Sequence, residues 1–292
     1  MTLGDGIRLI VLSAIWGASF MLVRIAAPEF GPIPLIFVRV GVAALVFLPI
    51  VLRPANRALL RRHAGVLLAQ GALNSALPFT LMAWAMLSLE AGFTSLLNAT
   101  TPIFAALIAF AWLKIPLNRL QVLGLLLGIA GIAILAWDRL SFRPGGSGWA
   151  VLAVLAGTMA YAGASNFAKV RLAGVHPLIV SGGSLLGASL LLLPFTIPLW
   201  PAEMPSPLSL VSALVLAVVC TAFGFFLFFD LLTRTGATAA TTVTFIIPIF
   251  GILWGALFLG ERVTVQMIAG MIVALGGTAL VTRVIRRREI LP

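Results

Sequence analysis

Three prolines in this sequence stand four positions after a polar residue. The pairs are Asn74 with Pro78, Asn98 with Pro102, and Thr244 with Pro248. Because proline lacks an N–H, it leaves the carbonyl four positions earlier without a helical donor and bends the helix. Such a carbonyl is an acceptor for a solute, or it is satisfied by neighbouring hydroxyls and the proline only shapes packing. We favour the first use and predict that these six residues bind substrate.

A second set of polar residues recurs with helical spacing inside apolar segments. Trp16 and Ser19 are three positions apart, and Tyr161 and Ser165 are four apart. Residues at such spacings share a helix face, and a mostly apolar pocket with a few orienting polar groups suits a small solute. For any single Ser or Thr, packing between helices is the alternative. The predicted substrate-binding residues of this set are Trp16, Ser19, Thr101, Tyr161 and Ser165.

Two charged residues within or beside apolar segments are candidates for a charged gate or a substrate contact. Arg39 lies well inside an apolar segment, where a charge needs a partner or water. It either binds a substrate carboxylate or forms a structural ion pair with Glu29 or Glu90, and we favour the ion pair. Asp230 precedes Arg234 by four positions, which predicts a local pair, with an inner gate as the alternative.

Groups that carry other chemistry are missing from the apolar segments. The eight acidic residues fall at or near segment ends, and His63 and His176 lie beside charged connections. Proton relays in membrane proteins use such groups inside the bundle, so facilitated diffusion or exchange becomes more plausible. Cys220 is the single cysteine, which excludes an internal disulfide and supplies no catalytic dyad. We expect no catalytic residues, no metal, no cofactor and no direct use of ATP.

The composition requires a bilayer around these residues. Hydrophobic residues make up 61% of the chain and charged residues 9%, against roughly 25% charged in a typical soluble domain. The net charge of +11 does not indicate nucleic-acid binding, because the basic residues stand in short clusters between apolar segments.

The apolar segments predict an all-α integral membrane protein, since about 20 apolar residues cross the hydrocarbon core. We predict ten transmembrane helices with short connections. Their ranges are 7–26, 34–52, 64–87, 92–113, 117–137, 148–169, 177–193, 208–232, 235–259 and 263–284.

The basic residues predict the orientation. With the N-terminus in the cytoplasm, fourteen Lys and Arg residues lie inside, including those from Arg283 to Arg288, and four lie outside. This bias follows the positive-inside rule. The protein is therefore expected in a bacterial inner membrane, with both termini in the cytoplasm.

An internal repeat divides the chain. At an offset of 146, Pro102-Ile103-Phe104 aligns with Pro248-Ile249-Phe250. At the same offset, Gly17-Ala18-Ser19 aligns with Gly163-Ala164-Ser165, so the matches span most of each half of the chain. Five helices per half is odd, so the halves at 1–146 and 147–292 are predicted to be inverted repeats. Inverted repeats are typical of secondary transporters, with the substrate site near the membrane midplane.

Several of these segments resemble a known family. Trp-Gly-Ala-Ser-Phe-Met-Leu-Val-Arg from Trp16, Phe-Val-Arg-Val-Gly around Arg39, both Pro-Ile-Phe segments, and Leu-Gly-Glu-Arg from Leu259 to Arg262 are similar to the drug/metabolite transporter superfamily in its EamA-type ten-helix branch. The Glu261 position has no counterpart in the first half, where Lys114-Ile-Pro-Leu-Asn-Arg stands. We expect Glu261 to cap the tenth helix.

The resemblance implies a secondary transporter that exports small metabolites, above all amino acids, by alternating access. Export of drugs, sugars or nucleoside-like solutes is the alternative; a channel or an intramembrane enzyme is less favoured. The small-residue positions of the fifth and tenth helices predict support of the bundle or a homodimer. The expected partners are the solute and the lipid bilayer. The glycines concerned are Gly124, Gly128, Gly270, Gly276 and Gly277.

Overall fold

The structure is a computed structural model that describes residues 2–240 and 242–289, without the side chains of 237–239 and 283–289. The structure therefore does not describe the side chains of the arginines from Arg283 to Arg288, which support the predicted orientation. Ten helices follow one another. They are α1 Leu3–Phe30, α2 Pro32–Val51, α3 Pro54–Ala85, α4 Ala91–Leu113, α5 Arg119–Arg139, α6 Gly148–Arg171, α7 Pro177–Thr196, α8 Pro207–Gly236, α9 Val243–Leu259 and α10 Val265–Glu289.

This architecture confirms the predicted all-helical membrane fold. Within the described residues, nine helices are long and apolar enough to cross a membrane, and α9 adds a shorter apolar helix of 17 residues. Local sequence defines many of the ends. Thr2 and Asp5 form a capping box at the start of α1, and Asn118 and Gln121 form another at the start of α5. Proline occupies the first turn of α2, α3, α7 and α8, where its missing N–H costs nothing.

Two predicted boundaries are wrong. Helix α3 begins at Pro54 rather than at residue 64, since exposed arginines on its first turns extend the helix beyond the apolar segment. Helix α9 begins at Val243 rather than at residue 235, because α8 continues to Gly236. There the backbone takes φ of 77°, a conformation that glycine adopts readily and that bends the chain away from the helix axis.

Three helices are irregular near the middle of the bundle. Residues Ala72–Ala76 of α3 form a π-helical turn just before Pro78. Helix α4 is interrupted after Asn98 and resumes at Thr101. Helix α8 contains a second π-helical turn, Leu216–Phe223, without any proline. In contrast, α9 passes through Pro248 without interruption. Interruptions of this kind are tolerated in membranes where protein or a cavity surrounds the backbone.

The helices pack in pairs around the middle of the bundle. Helix α1 packs against α8 and α9, α2 against α7, α4 against α6, and α3 against both α6 and α7. Helices α5 and α10 pack against each other. A Cβ added at Gly277 would lie 2.5 Å from the carbonyl oxygen of Gly124, so only glycine permits this approach. The small-residue faces are thus used within the chain, and a homodimer through α5 and α10 would need their opposite faces.

Candidate substrate site

A cavity of about 580 Å³ lies between the helices. Eight of the ten helices contribute to its wall, whereas α5 and α10 contribute no lining residue in the described part of the chain. The wall is mainly aromatic and aliphatic, with a few amide, hydroxyl and guanidinium groups between the apolar side chains. That composition is typical of pockets that hold small organic molecules.

The structure brings nine of the thirteen predicted site residues to this cavity. They are Trp16, Ser19, Arg39, Asn74, Asn98, Thr101, Tyr161, Ser165 and Thr244. The other four, Pro78, Pro102, Pro248 and Asp230, do not line it. The three prolines act on helix geometry instead of facing the cavity, and substrate binding by all thirteen stays a prediction.

The two sides of the bundle differ at the cavity. On the side where α1 begins, which we call the amino-terminal side, the lining extends to Leu172, Val175 and Pro177 between α6 and α7, and Pro177 is exposed. On the opposite side the lining ends at Val23 and Met86, which are only 3% and 1% exposed. The cavity therefore reaches the surface on the amino-terminal side and is covered on the opposite side.

Arg39 is the only charged residue among the described residues that line this cavity. Its side chain is 6% exposed, its Nε donates to Thr221 Oγ1 at 3.0 Å, and its guanidinium lies 3.7 Å from the ring centre of Phe79. The predicted ion pair with Glu29 or Glu90 is wrong. Glu29 accepts hydrogen bonds from Ser206, and Glu90 pairs with Arg139 at 2.8 Å.

Trp16 is held by the π-helical turn of α8. The extra residue in such a turn leaves backbone groups outside the helical ladder, and the carbonyl of Cys220 accepts a hydrogen bond from Trp16 Nε1 at 3.0 Å. The indole also packs 5.4 Å from the ring centre of Phe228. Ser19 donates to the carbonyl of Trp16 at 2.6 Å. These contacts fix one wall of the cavity at the boundary between α1 and α8.

The interruption of α4 places Asn98 and Thr101 beside each other at the cavity. Pro102 cannot donate to the carbonyl of Asn98, which instead accepts the hydroxyl of Thr101 at 2.6 Å. Asn98 Oδ1 is buried and has no hydrogen-bond partner among the described residues. The helix is therefore interrupted at Asn98 as predicted, but the favoured use of this carbonyl as a solute acceptor is not what the structure shows, since a neighbouring hydroxyl satisfies it.

Helices α3 and α6 supply further polar groups. Gln70, 6% exposed, lines the cavity with an Oε1 atom that lacks a partner in the described part of the chain. Ser165 donates to the carbonyl of Ala162 in its own helix at 2.9 Å. Ser19 makes the same kind of contact with Trp16 in α1. The ring of Tyr161 packs edge-on against Phe79 with centroids 5.9 Å apart. Tyr161 thus belongs to the same aromatic group that supports Arg39.

Sequence reasoning missed several lining residues. They are Phe20, Phe79, Met82, Met86, Ser95, Thr221, Phe225, Phe228 and Phe229. Most are apolar side chains in an apolar chain, so nothing in their type separates a cavity wall from a lipid contact. Ser95 and Thr221 carried a signal, because each is a hydroxyl within an apolar segment.

Glu261 helps to cover the side opposite the amino-terminal side. Its Oε1 and Oε2 atoms accept hydrogen bonds from the backbone N–H groups of Ala91 at 2.7 Å and Gly92 at 2.9 Å. The expectation that it caps α10 is wrong, since it caps α4 across the bundle. A carboxylate satisfies the unpaired N–H groups at a helix start and suits the helix dipole there. Arg24 Nη1 donates to the carbonyl of Met86 on the same side.

Asp230 lies on the amino-terminal side, outside the cavity wall. It pairs with Arg234 at 2.9 Å, which confirms the predicted local pair, and with Arg8 at 3.2 Å. The second pair joins α1 to α8 and is half exposed, so it contributes little stability by itself.

Comparisons with known proteins match this arrangement. The model of the EamA-like transporter family matches residues 5–137 and again residues 148–283. The "Uncharacterized transporter YvbV" of Bacillus subtilis is 25% identical over 279 residues, which cover 92% of this chain and 88% of that protein. The "Probable terminal-alkyne amino-acid exporter" of Streptantibioticus cattleyicolor is 26% identical over 295 residues, covering 99% and 98%. A protein of known crystal structure shares the fold with a TM-score of 0.68 at 18% identity, covering 98% of this chain and 100% of that one.

Proposed function

Since the chain belongs to the EamA-like transporter family, we propose that it exports small metabolites, above all amino acids, across a bacterial inner membrane by alternating access. The observation that carries the proposal is the cavity, which reaches the surface on the amino-terminal side and is covered by Val23 and Met86 on the other. A carrier presents its site to one side at a time, whereas a channel needs a continuous pore.

The direction of transport follows from the orientation. The bias of Lys and Arg residues supports a cytoplasmic amino-terminal side. The described conformation would then load its solute from the cytoplasm, which suits an exporter. The lining supports this step, because exposed Pro177 and half-buried Val175 stand at the cytoplasmic mouth.

The choice of amino acids rests on the chemistry of the wall. A guanidinium, several amide and hydroxyl side chains, and a large apolar surface meet in one cavity. The relative whose name gives it as a probable amino-acid exporter supports the same class. Drug-like apolar solutes are the second candidate, favoured by the phenylalanines of α8.

Alternating access is proposed as a rocking of two inverted halves. In such a repeat, α1 to α5 correspond in order to α6 to α10, and the helix contacts support this symmetry. The contact of α1 with α9 corresponds to that of α6 with α4. The contact of α3 with α6 corresponds to that of α8 with α1. The contact of Glu261 with Ala91 and Gly92 joins the two halves. It would break when the outer side opens, and the interruption further along α4 would absorb part of the movement.

Counterflow into liposomes tests the proposal. Purified protein is reconstituted into vesicles loaded with unlabelled solute, and the transient uptake of labelled amino acids, sugars or nucleosides is followed. We expect saturable counterflow of amino acids, absent from protein-free vesicles. Counterflow of another solute class alone would reject amino acids as the substrate. Flux that rises linearly with concentration and shows no counterflow would instead indicate a channel.

A further inference from the structure

Arg39 is a buried cation whose outer end has no protein partner. Its Nε atom is used by Thr221 Oγ1, and one face of the guanidinium rests on Phe79. Within the part of the chain that the structure describes, no acceptor binds Nη1 or Nη2, although the residue is only 6% exposed. A charge at this burial is costly unless it is paired and hydrogen-bonded.

The described residues offer no anion to complete this pair. No acidic side chain lines the cavity among the described residues, and the two acids on the covered side nearest in sequence are engaged elsewhere. Glu29 accepts from Ser206 and Glu90 pairs with Arg139. The contents of the cavity, an anion or water, are therefore what can complete the contacts of Arg39.

We propose that Arg39 binds the carboxylate of the transported solute through Nη1 and Nη2, with Thr221 and Phe79 as positioning residues. This inference rests on the proposed transport function and names the chemistry of its site. A guanidinium presents paired N–H groups that match the two oxygens of a carboxylate. Because Nε already donates to Thr221, the carboxylate would be bound by Nη1 and Nη2.

The π-helical turn of α8 explains how Thr221 reaches Arg39. Thr221 Oγ1 donates to the carbonyl of Leu216 at 2.8 Å while it accepts from Arg39 Nε. That donor contact spans five residues, as the wider turn requires. Because the hydroxyl is fixed by its own helix, the plane of the guanidinium is fixed as well. Phe79 restricts the same plane from its face by a cation–π contact.

The rest of the wall describes the other end of the solute. Gln70 and Asn98 line the same cavity, but their Oε1 and Oδ1 atoms are themselves enclosed by protein, so they do not define a contact with the solute. Apolar side chains such as Phe20, Met82 and Phe225 form a large part of the wall. The expected solute is thus a monocarboxylate with an apolar side chain.

A ligand series on the wild-type protein tests the carboxylate. Leucine, leucinamide and 4-methylpentanoate differ only in the carboxylate or the amino group, and each is tested for a shift in the apparent unfolding temperature of the purified protein. We expect leucine and 4-methylpentanoate to stabilise it, and leucinamide to need at least about a tenfold higher concentration. Equal stabilisation by leucinamide, or none by either carboxylate, would overturn the proposal.

Two variants test the residues. Arg39→Lys keeps the charge but loses the paired N–H groups, and should raise the half-saturating leucine concentration about tenfold or more. Thr221→Val should raise it about three- to tenfold with little change in maximal rate. Thr278→Val is the matched control, because Thr278 is a fully buried hydroxyl that donates to Ala274 on α10, away from the cavity.

The outcomes separate this inference from the proposed function. Carboxylate-dependent stabilisation without any counterflow would leave the subsite in place and reject transport. Counterflow of leucinamide as fast as that of leucine would leave transport in place and reject the subsite. If Arg39→Lys does not fold, Thr221→Val and the ligand series still test the carboxylate subsite. An unchanged half-saturating leucine concentration in Thr221→Val would reject the positioning role of Thr221.

Discussion

Helices α4 and α9 carry the same Pro-Ile-Phe segment but respond to it differently. Helix α4 is interrupted between Asn98 and Thr101, directly before its proline, whereas α9 continues through Pro248. Both prolines remove one backbone donor, so the proline alone does not explain the difference.

The residues before each proline supply the reason. In α4, Thr100 donates to the carbonyl of Leu97 and Thr101 to that of Asn98, each at 2.6 Å. These hydroxyls satisfy carbonyls that the interrupted helix leaves open. In α9 the corresponding positions are Ile246 and Ile247, which have no side-chain donor. The break thus occurs in the helix that has hydroxyls directly before the proline, whereas the helix with isoleucines there stays continuous.

The largest expected effect concerns Glu261, which follows the end of α9 and contacts the start of α4. Glu261→Gln removes the charge from two hydrogen bonds to Ala91 and Gly92, and bonds to charged groups contribute about 1.5–3 kcal/mol. The start of α4 should then separate from the end of α9 more often, shifting the population toward an open outer side about tenfold or more.

Cysteine labelling measures this shift. Met86→Cys in a Cys220→Ser background, treated with a membrane-impermeant maleimide from the outer side, should react about tenfold faster when Glu261→Gln is added. Glu203→Gln is the control, because Glu203 is exposed on the same side. An unchanged labelling rate would mean that the Glu261 contact does not hold the outer side closed.

The next effect contrasts the two residues that precede the prolines by four positions. Asn98→Ala should lower the counterflow rate about tenfold, because it removes a buried amide that faces the cavity. Thr244→Ala on α9 should lower it only about threefold, since a hydroxyl makes fewer bonds. The unfolding temperature should change little in both. Equal losses of rate would show that the interruption of α4 gives Asn98 no special role.

The smallest effect concerns the prolines themselves. Pro248→Ala replaces a residue that is unfavourable inside a continuous helix and should stabilise the protein by about 1 kcal/mol. Pro102→Ala should stabilise it less, because Pro102 lies in the first turn of a helical segment, where proline is tolerated. Thermal unfolding of both variants in detergent checks the order. Greater stabilisation by Pro102→Ala would assign the interruption of α4 to proline and not to the hydroxyls.

Much of the fold and part of the site follow from the sequence. The ten helices were predicted because apolar length and composition act locally and the bilayer imposes helices. The interruption between Asn98 and Thr101 was predicted because the effect of Pro102 reaches only four residues back. The π-helical turn at Leu216–Phe223 was not predicted, because no proline marks it and its partner, Trp16, lies on another helix.

The sequence by itself therefore determined the membrane fold, the number of helices and the break of α4 before Pro102, since each depends on neighbouring residues. Only the tertiary structure decided that Arg39 contacts Thr221 and Phe79 instead of an acid, and that Glu261 caps α4 instead of α10. It also decided which phenylalanines face the cavity and which face lipid. The physical reason is that these contacts join residues far apart in the chain, whose directions depend on how the helices pack.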